Sequence, residues 1–439
     1  MSDAASGGDT ETATISGAAP APPGPKPPLW RRVAADVTPL RESAAYRRWW
    51  VGYMVSNVGS QLTIVAAQLQ VFAISHSSFD VGLTGLVTVV PLVVFGLFGG
   101  SIADAVDRRL LNLITSSIAI CLSTLLVVQA ALGLDLLWLL YLLMGLQAAV
   151  FSVDSATRGA MLPRLVRRDL LPAANSLGQI SQNTALTAGP LLAGLIVSLS
   201  GFTAAYLVDA CSYLAVLYAL FRLPPVPPEG GGHRPGLKSV VEGLRFLGPR
   251  KNLLMTFLVD INAMVFGMPR VLFPALAVDT FHGGSGIAGL LYAAPSVGAL
   301  LGASMSGWAG RIRRQGLAVL LAVCVWGASI AVFGFTDVLW VALVLLAIAG
   351  AADMVSAIFR NTILQVATPD SLRGRLQGVF IVVVAGGPRV GDVEAGTVAS
   401  LFSVQASVVS GGLLCLLGVG ALAAKYRGFA RYDARHPVP

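Results

Sequence analysis

Long apolar runs recur twelve times along this chain, and they decide what it can fold into. They lie near 49–74, 81–102, 110–132, 136–157, 174–199 and 202–222, then near 252–276, 285–307, 316–335, 338–359, 376–402 and 404–424. Each reaches the roughly 20 residues that a helix needs to cross the hydrocarbon core of a bilayer. Lipid offers backbone groups no hydrogen-bond partners, so runs of this kind satisfy themselves as helices. The rest of the chain could not cover them in water. Only 12% of the 439 residues are charged, against roughly a quarter in soluble domains. The expected fold is an all-α polytopic membrane protein of twelve transmembrane helices, arranged six plus six.

The breaks set the domains. Residues 1–46 read as a disordered cytoplasmic tail, rich in Ala, Gly, Pro, Ser and Thr near its start. That stretch has no basic segment leading into an apolar core, so it is not a signal peptide. Residues 47–222 form the first six-helix half. The linker 223–251 opens on Pro224, Pro225, Pro227, Pro228 and Gly230 to Gly232, which cannot continue a helix. Within it Val240, Val241, Leu244 and Leu247 fall at helical spacing, so 237–247 reads as a short amphipathic helix on the membrane surface. Residues 252–424 form the second half, and 425–439 a cytoplasmic tail.

Basic residues orient the spans. With the N-terminus cytoplasmic, all but two of the 30 Lys and Arg fall in the N-terminal tail, in cytoplasmic loops or at cytoplasmic span ends. The two exceptions, Arg270 and Arg389, are inside spans. The opposite loops carry Asp80, Asp135, Asp279, Asp337, His76 and His282, and no Lys or Arg. Both termini are therefore expected in the cytoplasm. The net charge of +8 is spread over membrane loops rather than gathered in a patch, which excludes nucleic acid as a partner. Cys121, Cys211, Cys324 and Cys415 are scattered singly, so neither a metal nor a disulfide is indicated. The four histidines sit in loops or tails, and no catalytic constellation is visible. No enzyme activity and no cofactor are expected.

The loop after the second span reads Gly100-Ser101-Ile102-Ala103-Asp104-Ala105-Val106-Asp107-Arg108-Arg109. It resembles the loop signature of the major facilitator superfamily, G-x-x-x-D-x-x-x-R-R. The resemblance implies the twelve-helix fold of two related halves. It also implies a cytoplasmic latch between them, built from Gly100, Asp104, Arg108 and Arg109, with Arg158 at the end of span four as the partner of Asp104. The matching place in the second half, Gly307 to Arg314, keeps basic residues and lacks the acid. A weak internal repeat agrees with duplication: "RGAMLPRLVRRDLL" from Arg158 and "RNTILQVATPDSLRGR" from Arg360 start 202 residues apart. Parallel duplication places a substrate path between the halves.

Span five carries Gly189-Pro190-Leu191-Leu192-Ala193-Gly194. It is similar to the antiporter signature of drug exporters in the superfamily, with Ala185 and Ala193 replacing two of its glycines. Small residues let helices approach closely, and the proline bends the helix. The match implies export. Span four lacks the family's intramembrane arginine for proton coupling; Tyr141 stands near its place.

Charge inside a span is costly and marks function by default. Asp154 is placed to pair with Arg158, and Asp209 falls on a span that the fold keeps peripheral. Asp260 in span seven and Asp353 in span ten are candidates for substrate or proton contact. Span eleven reads Gly386-Gly387-Pro388-Arg389-Val390-Gly391-Asp392-Val393-Glu394. Gly-Gly-Pro there is expected to break the helix against protein or a watery cavity. Arg389 and Asp392 are three apart and can pair, which leaves Glu394 as a candidate proton carrier.

From about Arg47 to Arg427 the chain resembles bacterial drug:proton antiporter-like exporters, a branch that includes the enterobactin exporter and macrolide efflux proteins. The residues that carry this are "DSATRGAMLPRLVRRDLLPAANSL", "GPLLAG", "EGLRFL", "RNTILQVATPDSLRGR" and "GGPRVGDVEAG". The resemblance implies a monomeric exporter of a small organic molecule in the cell membrane, driven by proton antiport. A siderophore of the enterobactin type is the first substrate and a macrolide or other drug the second. A non-transporting membrane scaffold or sensor is the reading from another class.

Overall fold

A computed structural model describes residues 36–226, 245, 247–304, 312–367 and 370–433, with the side chains at 97–105, 365, 367, 370–382 and 384–385 outside that description. The first half holds α1 (Ala44–Ser75), α2 (Ser78–Ala105), α3 (Arg108–Ala131) and α4 (Leu137–Leu165). One helical run then covers Leu171–Phe221 and breaks at Gly201, where φ is 77°. An L side chain rarely adopts that angle, and glycine adopts it freely. The break divides the run into α5 (171–200) and α6 (202–221). In the second half α7 starts as Lys251–Phe266 and resumes through Arg270–Leu272 and Phe273–Ala275 to Leu276–Thr280. Then come α8 (Ser285–Ser304), α9 (Gln315–Phe333), α10 (Leu339–Ala367), α11 (Asp370–Leu401) and α12 (Val404–Lys425).

Among the described residues, 10 helical stretches are long and apolar enough to cross a membrane. One of them contains both α5 and α6, and α11 is not counted there. Its described part carries Arg389, Asp392 and Glu394. Separating the first pair and adding the second case gives the twelve helices read from the sequence. Their outer surface is apolar. Trp138, Phe335, Trp340 and Phe402 are each more than 60% exposed and cluster at helix ends without Arg, as in the aromatic belts of membrane proteins.

Within the first half α1 lies between α5 and α6. Tyr46 Oη donates to the Ala174 carbonyl at 3.2 Å, and the hydroxyls of Ser60 and Tyr213 bond at 2.9 Å. In the second half α8 packs on α10, and α9 packs on α10 and α12. The halves meet through α2 on α11 and α5 on α8.

Three boundaries differ from the sequence reading. Residues 38–42 are a short helix and α1 begins at 44, both inside the stretch expected to be tail. At the other end Phe429 and Tyr432 are buried, and Asp433 pairs with Arg313 at 3.4 Å, so this part of the expected tail docks on α9. The third difference concerns α11, which runs without interruption past Gly386, Gly387 and Pro388. The glycines there serve close approach instead. A Cβ on Gly391 would sit 2.6 Å from the Met264 carbonyl oxygen, and one on Gly387 would sit 3.3 Å from Cβ of Met264. The helix that does break is α7. The expected surface helix at 237–247 lies almost wholly outside the described residues.

Candidate functional site

Three adjoining voids lie at the centre of the molecule and share lining residues. The largest is about 430 Å³ and is walled by α1, α2, α4 and α5 on one side and by α7, α8 and α11 on the other. A second, of about 210 Å³, shares Leu186, Arg270 and Ser296 with it and reaches Asp353 and Trp326. A third, of about 150 Å³, shares Gln61, Phe151 and Arg389 and reaches Asp209. Together they form a central cavity of the size that small organic ligands occupy.

At the ends without Arg, the helices close over this cavity. Gly194 and Gly289 bring α5 and α8 together: a Cβ on Gly194 would meet the Ser285 oxygen at 2.6 Å, and one on Gly289 the Pro190 oxygen at 2.7 Å. Gly82 and Gly396 do the same for α2 and α11, with the Asp392 and Ser78 carbonyl oxygens each 2.7 Å from the added atom. Gly189 faces α1 within its own half. The antiporter-like motif thus divides its work: Gly189 packs a half, while Pro190 and Gly194 join the halves. Tyr292 Oη also crosses the boundary, donating to Gln68 Oε1 at 2.8 Å. Ser296 Oγ donates to the Leu186 carbonyl at 3.1 Å.

The break in α7 shapes the cavity floor. Helix stops at Gly267 and restarts at Arg270, with Met268 and Pro269 between. Proline cannot donate to the preceding turn, and an unsatisfied carbonyl in lipid is costly. Trp326 Nε1 answers this by donating to the Gly267 carbonyl at 2.8 Å. The break turns Arg270 into the voids.

The candidate residues fall into three groups. Asp154 and Arg158, one helical turn apart, pair at 3.0 Å. Tyr53 and Thr115 donate to the same carboxylate, and Arg158 also donates to Asn57 Oδ1 at 3.1 Å. In the second half Arg360 pairs with Asp260 and lies 3.7 Å from Asp353. Repeat-related arginines therefore hold α4 to α1 in one half and α10 to α7 in the other. On α11, Arg389 and Asp392 are 3.9 Å apart and both face the cavity. Glu394 is half-buried and is not among the cavity-lining residues. Positions two apart on a helix point to different sides.

Of the loop signature, the side chains of Gly100 and Asp104 lie outside the described residues, as do Gly307 to Arg311. Arg109 donates to the Leu220 and Phe221 carbonyls at 2.9 and 3.1 Å, capping α6, and Arg108 donates to the Ala160 carbonyl at 3.3 Å. A basic side chain at a helix C-terminus is favoured by the free carbonyls there. Arg158, expected as the partner of Asp104, is engaged with Asp154 and Asn57.

Sequence reasoning placed no role on Arg270, Tyr292, Gln68 or Trp326. The dipeptide Pro269-Arg270 inside an apolar run was the available signal for the first. Asp209, set aside as peripheral, lines the third void and accepts a hydrogen bond from Ser123 at 2.7 Å.

Comparison with known proteins identifies the family and the fold. The transmembrane secretion effector family matches residues 34–434. The enterobactin exporter EntS of Citrobacter koseri is 29% identical over 91% of this chain and 96% of its own length. The enterobactin exporter EntS of Shigella boydii is also 29% identical, over 87% and 91%. Among solved structures, a nucleoside transporter NupG superposes with a TM-score of 0.70 over 87% of this chain and 100% of its own, at 12% identity. A bacterial homologue of the lysosomal transporter Spinster, inward-facing and unoccupied, gives 0.68 over 91% and 98%, at 15% identity. At such identity these structures establish the fold alone. The chain belongs to the transmembrane secretion effector family and is a multi-pass transporter of the major facilitator type, not an enzyme.

Proposed function

We propose that this chain exports a small organic molecule across the cell membrane by alternating access, in exchange for protons. The observation that carries the reading is the central cavity between two halves that close on one another at the ends without Arg. By the charge rule those ends face outward and the Arg-rich ends, with both termini, face the cytoplasm. A cavity sealed on the outer side is the state that receives a cytoplasmic substrate. A scaffold or sensor has no use for such a cavity, nor for acids held at membrane depth. Asp260, Asp353, Asp392 and Glu394 are the groups through which protons would enter. The cavity is walled by helices of one chain, which supports a monomer as the working unit.

A siderophore of the enterobactin type is the leading substrate, supported by relatives that align with nearly their full length to this chain. A macrolide or other drug is second. Everted vesicles test both. Acid inside should drive accumulation of enterobactin, and a protonophore should abolish it. Absence of accumulation with enterobactin and with erythromycin would refute the export reading for these substrates.

A further inference from the structure

We infer that the transported molecule carries an anionic group, and that Arg270 and Arg389 hold it in the central cavity. The inference rests on the export reading for the word "transported", but the binding site stands on its own geometry.

Two guanidinium groups face one void from different helices, Arg270 from the break in α7 and Arg389 from α11. The ionisable groups near enough to act on Arg270 are Asp392, Asp353, Arg389 and Tyr292. Among the described residues neither acid forms an ion pair with Arg270. Asp392 lies beside Arg389 at 3.9 Å, and Asp353 beside Arg360 at 3.7 Å. Among the described residues Arg270 makes no ion pair and no side-chain hydrogen bond. A guanidinium at membrane depth is expensive unless it meets water or an anion. Its fork of donors matches the planar oxygens of a carboxylate and similar oxyanions, and two such forks fix an orientation.

The opposite wall is neutral. Gln61 and Gln182 supply donors and acceptors without charge, and Ile64, Leu92, Phe151 and Leu186 supply apolar surface. The charged wall carries two guanidinium groups and one carboxylate, Asp392, so it keeps a net positive charge; with an amide-lined apolar wall opposite, it fits an amphiphile: an aromatic or alicyclic body bearing one oxyanion. The N-terminal half would cover the body and the C-terminal half would hold the charge.

The test uses the full chain in nanodiscs of neutral phosphatidylcholine, so that lipid contributes no anion. Equilibrium dialysis measures 1-naphthoate against 1-naphthamide, which has nearly the same shape without the charge. The expected result is binding of naphthoate at least ten-fold tighter than of the amide. Arg270→Gln and Arg389→Gln should each erase most of that preference. Arg270→Lys keeps the charge on a smaller head and should retain part of it. Equal binding of the two probes by the unaltered chain overturns the proposal without any variant. So does a preference that survives in both glutamine variants. A positive result here with no enterobactin uptake in vesicles would refute the siderophore reading and leave the anion site intact.

Discussion

The closed end without Arg makes a sharp prediction about Gly194. Replacing it with alanine adds one methyl group where α5 crosses α8, 2.6 Å from the Ser285 oxygen and 2.9 Å from Cα of Gly289. Both are backbone atoms and cannot rotate aside. The helices must separate there, or the conformation in which they touch must be abandoned. Overpacking of this kind costs about 1–3 kcal/mol, and the cost falls only on the closed state. A differential of about 1–3 kcal/mol shifts a two-state equilibrium roughly 5- to 150-fold. Gly194→Ala should therefore populate the state opened at the ends without Arg. Spin labels on Ser200→Cys and Gly284→Cys, with the four native cysteines replaced by alanine, read the opening as a longer distance. Gly178→Ala on the same helix is the control, since nothing lies within 4 Å of its added methyl. Gly289→Ala should act alike, and the double variant should add less than the sum, because helices already parted have room for the second methyl. An unchanged distance distribution in Gly194→Ala would refute the reasoning. So would an equal shift in Gly178→Ala.

Other contacts give further expectations. Asp260→Asn takes from the buried Arg360 its closer carboxylate and leaves it only Asp353 at 3.7 Å; breaking a buried pair costs about 3–5 kcal/mol, and thermal melting should fall. Trp326→Phe strands the Gly267 carbonyl at the α7 break, a loss of about 1–3 kcal/mol, and should weaken binding of naphthoate as the floor loosens. Tyr292→Phe removes the hydrogen bond to Gln68 across the halves, worth about 0.5–1.5 kcal/mol, and should shift the same spin-label distance in the direction of Gly194→Ala.

Hydropathy made the architecture legible, because lipid forces every long apolar run into a helix and short loops force neighbours together. The end of α6 at Phe221 was legible too, because Pro224 and Pro225 just beyond it cannot continue a helix. The position of the backbone break was not. Gly-Gly-Pro in α11 and Gly-Met-Pro in α7 carry the same local signal, yet only the second unwinds. The difference is tertiary. Gly387 and Gly391 are used for close packing on α7, whereas Gly267 has Trp326 beside it to satisfy the freed carbonyl. No feature of either short segment announces a tryptophan 59 residues away. Ion pairing was legible only where it is local. Asp154 with Arg158 follows from helical spacing, while Asp260 with Arg360 joins helices 100 residues apart.

The two proposals meet at Asp392, and their signs can be compared. An anion on Arg389 and the Asp392 carboxylate compete for the same guanidinium. Removing the carboxylate's charge, by a proton or by Asp392→Asn, favours the anion. Two unit charges about 4 Å apart interact by about 1 kcal/mol in water and about 4 kcal/mol at an effective dielectric of 20. Even the lower figure tightens binding about five-fold. Asp392→Asn should therefore bind 1-naphthoate at least about five-fold more tightly and 1-naphthamide unchanged. Exchange of a proton for the substrate needs the opposite sign, since the incoming proton must expel what is bound. If the anion site holds, then, the exchanging proton does not act through Asp392. Proton exchange, as proposed, would then fall to acids whose protonation is felt as a change of shape rather than of local charge, such as Asp260, which pairs with Arg360 between α7 and α10. Protonating Asp260 frees Arg360 and loosens the contact that fixes the broken α7 against α10. Weaker naphthoate binding in Asp392→Asn would reverse this assignment and return the coupling to α11.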